Sequence, residues 1–214
     1  MTQLYTPTPQ TRENAHAMLN WVRHQNLSDT CIHCPDCGSI SFCTDRYLAQ
    51  IEIDEDIVSL YMEEKATGEQ VFFLHFQAVD LDDSIEKVKV FLYRLYHDED
   101  QDDNEEKIPD LHQPIEMLIC CTSGITSTMY ARLITRRLGS DLVHADAKSV
   151  FNLTDEDDQY DLILLAPQVH YMFEEVSSRF PGKVHRIETM DFATDRISGT
   201  LRQLNTLSES TLVC

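Results

Sequence analysis

Apolar positions recur along this chain in two rhythms, separated by one long polar run. Ala15, Met18, Leu19 and Val22 follow the three-and-four spacing of a helix face over residues 12–25, with Thr11 placed as its N-cap. Residues 47–53, 57–64 and 70–78 are short and rich in apolar side chains, and Lys65-Ala66-Thr67-Gly68-Glu69 separates the last two, which predicts strands and a hairpin. Ile85, Val88, Phe91, Leu92 and Leu95 then line one face of a second helix over 81–97, behind Asp82 and Asp83, whose charge suits a helix N-terminus. These elements make a small α+β unit over residues 1–97. From Asp98 to Asp110 apolar residues almost vanish and acidic ones crowd together; such a run repels itself and stays solvated, so residues 98–111 are read as a linker.

Beyond Pro114 the rhythm becomes strand, helix, strand, helix. Met117–Cys121 is a buried-strand candidate, and it leads through Thr122–Thr128 into an amphipathic stretch carrying Met129, Leu133 and Ile134. Leu142–Ala145 and Asp161–Ala166 read as the next strands, with a weak helix and the acidic loop Asp155–Asp158 between them. Val169–Arg179 reads as a helix stopped at Pro181-Gly182, Val184–Glu188 as the fourth strand and Ala193–Leu204 as the last helix. This alternation predicts an α/β domain over 112–206, a four-stranded parallel sheet with flanking helices, followed by a tail at 207–214.

Charge narrows the partners. With 17 basic against 37 acidic residues and a formal charge of −20, encounters with nucleic acid or an anionic membrane are opposed at long range. The longest apolar runs, Met117–Cys121 and Leu162–Ala166, fall far short of the roughly 20 residues that span a bilayer. The first residues lack the basic cluster and apolar core of a secretion signal, so a cytosolic location is expected. In that reducing compartment the grouped cysteines point to metal binding or thiolate chemistry before disulfides.

One group is Cys120-Cys121 at a strand end. Small hydroxyl residues, a glycine and a helix follow Cys121, so backbone N–H groups of Thr122–Thr128 can converge on an anion and the helix N-terminus adds positive potential. Both favour a thiolate at Cys121. Gly124 permits a sharp turn, and Thr126, Ser127 and Thr128 offer hydroxyl donors to phosphate oxygens. On these residues alone, a structural strand end is the competing reading. Cys120, one residue away, should face the opposite side of the sheet as a core residue.

The stretch Cys121-Thr-Ser-Gly-Ile-Thr-Ser-Thr-Met129 resembles the active-site loop of the lactose/cellobiose-type IIB component of the bacterial sugar phosphotransferase system, usually Cys-x-x-Gly-x-Ser-Thr-Ser followed by Met or Leu. Leu164-Leu-Ala-Pro-Gln-Val-His-Tyr-Met172 is similar to that family's Gly-Pro-Gln-Val-Arg-Tyr segment, and Met190-Asp191-Phe192 to its Met-Asp-Tyr. The hydroxyl order is Thr-Ser-Thr here, Ala166 replaces a common glycine and His170 a common arginine. The resemblance implies a flavodoxin-like layered sheet and a Cys121 that takes phosphate from a IIA phosphohistidine and passes it to a sugar held by the membrane component IIC. Thr122, Ser123, Gly124, Ile125, Thr126, Ser127 and Thr128 would bind the phosphate, with no metal or other cofactor. The phosphatase loop Cys-x5-Arg is a poorer match, because Ser127 occupies the arginine position and the first arginine is Arg132.

The other group is Cys31, Cys34, Cys37 and Cys43, four thiols within 13 residues. Cys34-Pro-Asp-Cys37-Gly is similar to a zinc-ribbon knuckle, and the four thiols suffice for one tetrahedral ion, with His24 or His33 as substitute ligands. A second Cys-x-x-Cys pair is missing, which leaves an iron–sulfur site or an empty knuckle as alternatives. A structural zinc holding the small first domain together is the expectation. The whole chain then reads as a phosphocarrier fused to that module, or alternatively as a regulator whose IIB-like domain reports sugar flux while the first half binds a protein partner.

Overall fold

A computed structural model describes residues 7–25, 27, 30–31, 38–97 and 114–211. The chain forms two compact units, residues 1–99 and 100–214.

In the first unit, helix α1 (Pro9–His24) precedes five antiparallel strands, β1 (Thr30–Cys31), β2 (Ser39–Cys43), β3 (Tyr47–Asp54), β4 (Ile57–Glu64) and β5 (Gln70–Gln77), and helix α2 (Leu81–Tyr96) follows them. The strands lie side by side in sequence order. Alternation puts Ile40, Phe42, Tyr47, Ala49, Ile51, Val58, Leu60, Met62, Phe72, Leu74 and Phe76 in the core. The face of α1 carrying Ala15, Met18, Leu19 and Val22 and the face of α2 carrying Val88, Phe91 and Leu95 are also buried. Phe91 meets Phe42 and Phe72 edge-on, at ring centroids 6.2 and 5.4 Å apart, tying α2 to β2 and β5.

The N-cap of α1 is Thr8, not Thr11. Pro9 supplies a preset φ at the first helical position, and Thr11 closes a capping box with Thr8 from inside the helix. The Thr11 hydroxyl also donates to Oδ2 of buried Asp56, which takes a second bond from Gln77 Nε2 at 2.9 Å and so locks α1 to the β3–β4 turn. Strands β1 and β2 occupy a stretch read only as a cysteine segment.

The second unit holds a parallel sheet of β6 (Ile115–Cys121), β7 (Val143–Ser149), β8 (Leu162–Leu165) and β9 (Val184–Arg186) in the order β7-β6-β8-β9. Helix α3 (Ile125–Leu138) connects β6 to β7; α4 (Phe173–Arg179), α5 (Thr189–Ala193) and α6 (Ser198–Thr211) complete it. Residues of β6 alternate between two cores: Met117, Ile119 and Cys121 pack with α3 and α6, while Leu118 and Cys120 pack with Val150, Val169, Val176 and Phe180. Covered on both faces, β6 and β8 tolerate almost no polar residue, which explains their unbroken apolar runs.

Three expectations are corrected. The weak helix before β8 is a single 3-10 turn, Val150–Asn152, and the acidic loop is a second one, Asp155–Gln159. Residues 169–179 form a 3-10 stretch, Pro167–Met172, running into α4, with a break at Val169, where φ −123° and ψ 17° are not helical. The last helical region is α5 and α6, separated near Asp195, which sits at φ +54°. Buried Asp191 explains the fresh start, since its Oδ2 accepts the Gly199 N–H at 2.5 Å in the first turn of α6.

Candidate active site

In an open parallel sheet the crevice lies beyond the carboxyl ends of the strands, where successive connections depart to opposite sides. Here that point is the end of β6: its own connection runs to β7 on one side, and β8 lies on the other. Cys121 is the last residue of β6, so the nucleophile suggested by sequence stands at the position topology favours for a ligand.

Gly124 makes the turn that follows. Its φ of +85° is left-handed, and a Cβ there would lie 3.4 Å from Ser149 N and 3.5 Å from the Lys148 carbonyl carbon, so the end of β7 closes against the loop. Ser149 Oγ–H donates to Thr122 O at 2.6 Å and fixes the start of the same loop. Gly124 has no side chain to cap α3, and the first intrahelical bond runs from Thr128 N–H to Gly124 O at 3.1 Å, which leaves first-turn N–H groups directed at the thiol region.

Gly124 N–H lies 3.1 Å from Cys121 Sγ and the Ser127 hydroxyl 2.9 Å from it. Burial by itself pushes the Cys121 thiol pKa up; hydrogen bonds from the Ser127 and Thr126 hydroxyls and from the Ser127 and Ser123 backbone outweigh it, and the pKa falls below the ordinary cysteine value. Cys120 behaves oppositely. Burial first, then the charges of Asp157 and Cys121, push its pKa up to about 12 despite nearby Lys148, so it stays a protonated core thiol. Neighbours in sequence thus have different chemistry because the strand turns them into different environments.

The residues named from sequence do not all play alike parts. Ser127 is fully buried against the sulfur, whereas Ser123 is exposed. Thr128 donates its hydroxyl to Gly124 O at 2.7 Å, within the helix rather than into the loop. Ile125 is 70% exposed and Met129 69%, one helical turn apart. Met129 therefore does not share the buried face of α3 expected for it; Tyr130, Ala131, Leu133, Ile134 and Leu138 make that face. His170, beyond β8, uses Nε2 to hydrogen-bond Leu165 O at 3.2 Å. Gln168 is buried in the same segment.

A pair that sequence reading missed supports the site from beside it. Lys148, in register with Cys120, bonds both Asp157 oxygens at 2.8 and 2.7 Å. Burial opposes the Asp157 charge, but Lys148 and the Thr154 N–H and hydroxyl overcome it and hold the carboxyl below its usual range. Thr154-x-x-Asp157 was the available signal, a capping box hidden in an acidic stretch.

Of the cysteine cluster, Cys31 pairs with Ser41 in the β1–β2 ladder and Cys43, exposed, ends β2 opposite Leu48. Cys34, Cys37 and His33 lie outside the described residues, as does Cys214. His24 ends α1 with Nδ1 2.7 Å from Asn20 O. Among the described residues no group of three or more His, Cys, Asp or Glu is placed to hold a metal, and no helix is long and apolar enough to cross a membrane.

The second unit is thus an α/β sheet with a cysteine-headed loop at its switch point. Residues 116–203 match the family model described as PTS system, Lactose/Cellobiose specific IIB subunit. The chain is also similar to a solved structure, the lactose-specific IIB component domain of the phosphoenolpyruvate:carbohydrate phosphotransferase system from Streptococcus pneumoniae, at 25% identity over 43% of this chain and 95% of that one, with a TM-score of 0.37. No curated protein matches. The family match lies wholly within the second unit and does not reach the N-terminal cysteines.

Proposed function

We propose that the second unit is a cysteine phosphocarrier of the sugar phosphotransferase type. The observation that carries this reading is the Cys121 thiol, its pKa lowered by Ser127 and Thr126 at the head of α3, within the region that matches the IIB family. Cys121 Sγ attacks the phosphorus of a IIA phosphohistidine; the S–P bond forms as the N–P bond breaks, and the imidazole keeps the departing electron pair. In the second half, a hydroxyl oxygen of a sugar held by IIC attacks the phosphorus and gives up its proton to a base beside the sugar or to water; the O–P bond forms as the S–P bond breaks, and the thiolate returns with the departing electron pair. N–H groups of the Thr122–Ser127 loop and the Thr126 and Ser127 hydroxyls meet the charge spread over the transferring group, a task of position and electrostatics. Cys121 has no solvent-exposed surface in this state, so acceptance requires the loop to uncover the sulfur. Exposed Ile125 and Met129 at the loop rim provide an apolar footing for a partner protein.

A second reading is favoured by the first unit, which has its own core and lies outside the family match. In it the chain is a regulator or adaptor, phosphorylated on Cys121 and carrying a partner-binding module. In either case the thiols of Cys31, Cys34, Cys37 and Cys43 form a structural zinc site; strand pairing supports this by bringing Cys31 opposite Ser41, two residues before Cys43. Metal analysis of the purified chain should find one zinc, reduced by Cys43→Ser; metal-free protein with an unchanged fold would remove this part of the reading.

The deciding experiment supplies labelled phosphoenolpyruvate, the upstream phosphotransferase proteins and IIC-bearing membranes with sugar. Appearance of sugar phosphate that requires Cys121 supports the carrier. Phosphate retained on the chain supports the regulator, and no phosphate on either contradicts both.

A further inference from the structure

Among the described residues the two sheets have four edges, and three are blunted against pairing with another chain. Strand β1 has two residues and β9 three, while β7 carries His144, Asp146 and Lys148 among its seven. The fourth edge, β5, is unlike them. It runs for eight residues, Gln-Val-Phe-Phe-Leu-His-Phe-Gln, with no acidic or basic side chain other than His75 and no proline or glycine, and among the described residues it pairs with β4 alone. Its irregularity lies near its start, where Val71 is passed over between the pairs Met62–Phe72 and Glu63–Gln70, so Phe72–Gln77 keep an unbroken register. Phe73, 42% exposed, stacks on His75 on the face turned away from the core.

We propose that β5 is a self-association edge, which pairs antiparallel with β5 of a second copy to make one ten-stranded sheet about a twofold axis at Leu74. The strand is its own complement in this register. Phe73 faces the partner's His75, Phe72 faces the partner's Phe76, and Leu74 meets its own copy, giving aromatic or apolar cross-strand pairs on both faces. The flanking carboxylates do not oppose one another: Glu69 falls opposite Val79 and Asp80 opposite Gly68. A foreign strand chosen by charge finds nothing to read here, whereas an uncharged copy meets an uncharged edge. The charge of −20 on each chain resists approach, so pairing strengthens as salt screens it.

Sedimentation of the full chain over a wide concentration range in moderate salt tests the proposal, with F73K/H75K as the comparison. Both positions are exposed, so the substitutions leave the core untouched. Wild type should approach twice 24.7 kDa and the double variant should stay at 24.7 kDa with an unchanged circular dichroism spectrum. A wild type that is monomeric throughout, including one that is found with a foreign strand on β5, overturns the proposal, as does a dimer that survives both lysines. Hydrogen exchange on wild type alone gives a second reading: amides of residues 70–77 should gain protection as concentration rises, and unchanged protection overturns the pairing. Neither result depends on the phosphocarrier reading.

Discussion

Replacing Ser127 by alanine isolates the interaction that sets the thiol. The Ser127 hydroxyl lies 2.9 Å from Cys121 Sγ, and both residues are fully buried, so water has no ready route to replace the lost donor. A hydrogen bond to a charged acceptor contributes about 1.5–3 kcal/mol. At about 1.4 kcal/mol per tenfold, its loss should cut the thiolate fraction at neutral pH by roughly ten- to a hundredfold. The assay is the pH dependence of Cys121 alkylation, resolved from the other cysteines by peptide mass spectrometry. Opening of the loop scales the rate but leaves the midpoint in place. For wild type, reactivity should appear as pH rises through a pKa below the ordinary thiol value and vanish beneath it; in Ser127→Ala that midpoint should move to higher pH. An unmoved midpoint would refute the claim that Ser127 holds the thiolate.

Other consequences concern the loop, its support and its rim. Gly124→Ala forces a side chain into φ +85° beside β7, which should cost about 1–2 kcal/mol in urea unfolding and slow phosphate acceptance; full stability would show that the turn relaxes easily. Asp157→Asn should destabilise the second unit by about 1–2 kcal/mol at neutral pH, between the values for exposed and buried pairs because Lys148 keeps some contact with water. The Asp157 carboxyl is held below its ordinary pKa, so this advantage exists above the normal carboxylate range and fades as pH falls through the depressed value; stability curves of wild type and variant should converge there. I125K/M129K should weaken phosphate uptake from the IIA partner several-fold without a change in thermal midpoint, since both side chains are exposed.

Legibility in the sequence followed the range over which each signal acts. The apolar run ending at Cys121 and the helical stripe Val88, Phe91, Leu95 are local patterns, and the structure places them as strand end and buried face. So is the loop chemistry, because Gly124, Thr126 and Ser127 lie within six residues of the sulfur they serve. Met129 was misplaced because it has the spacing of a buried residue but projects from the second turn of α3 on the exposed side it shares with Ile125. The alternation Ser39-Ile40-Ser41-Phe42 of β2 was legible but was outweighed by the metal-ligand pattern of the cysteines, while β1, two residues long, carries no pattern of its own and shows only through its ladder with β2. Asp157 was readable through the capping-box spacing Thr154-x-x-Asp157, but its partnership with Lys148 was not, because that depends on how β7 and a 3-10 turn meet in space.

The central claim is that Cys121, and not its neighbour, carries the phosphoryl group. Intact-protein mass spectrometry after incubation with phosphoenolpyruvate and the upstream phosphotransferase proteins tests it most directly, with wild type, Cys121→Ser and Cys120→Ser side by side. The account predicts the mass of one phosphate on wild type and on Cys120→Ser, stable in mild alkali, and none on Cys121→Ser. Phosphate that survives the loss of Cys121, or depends on Cys120, would contradict it.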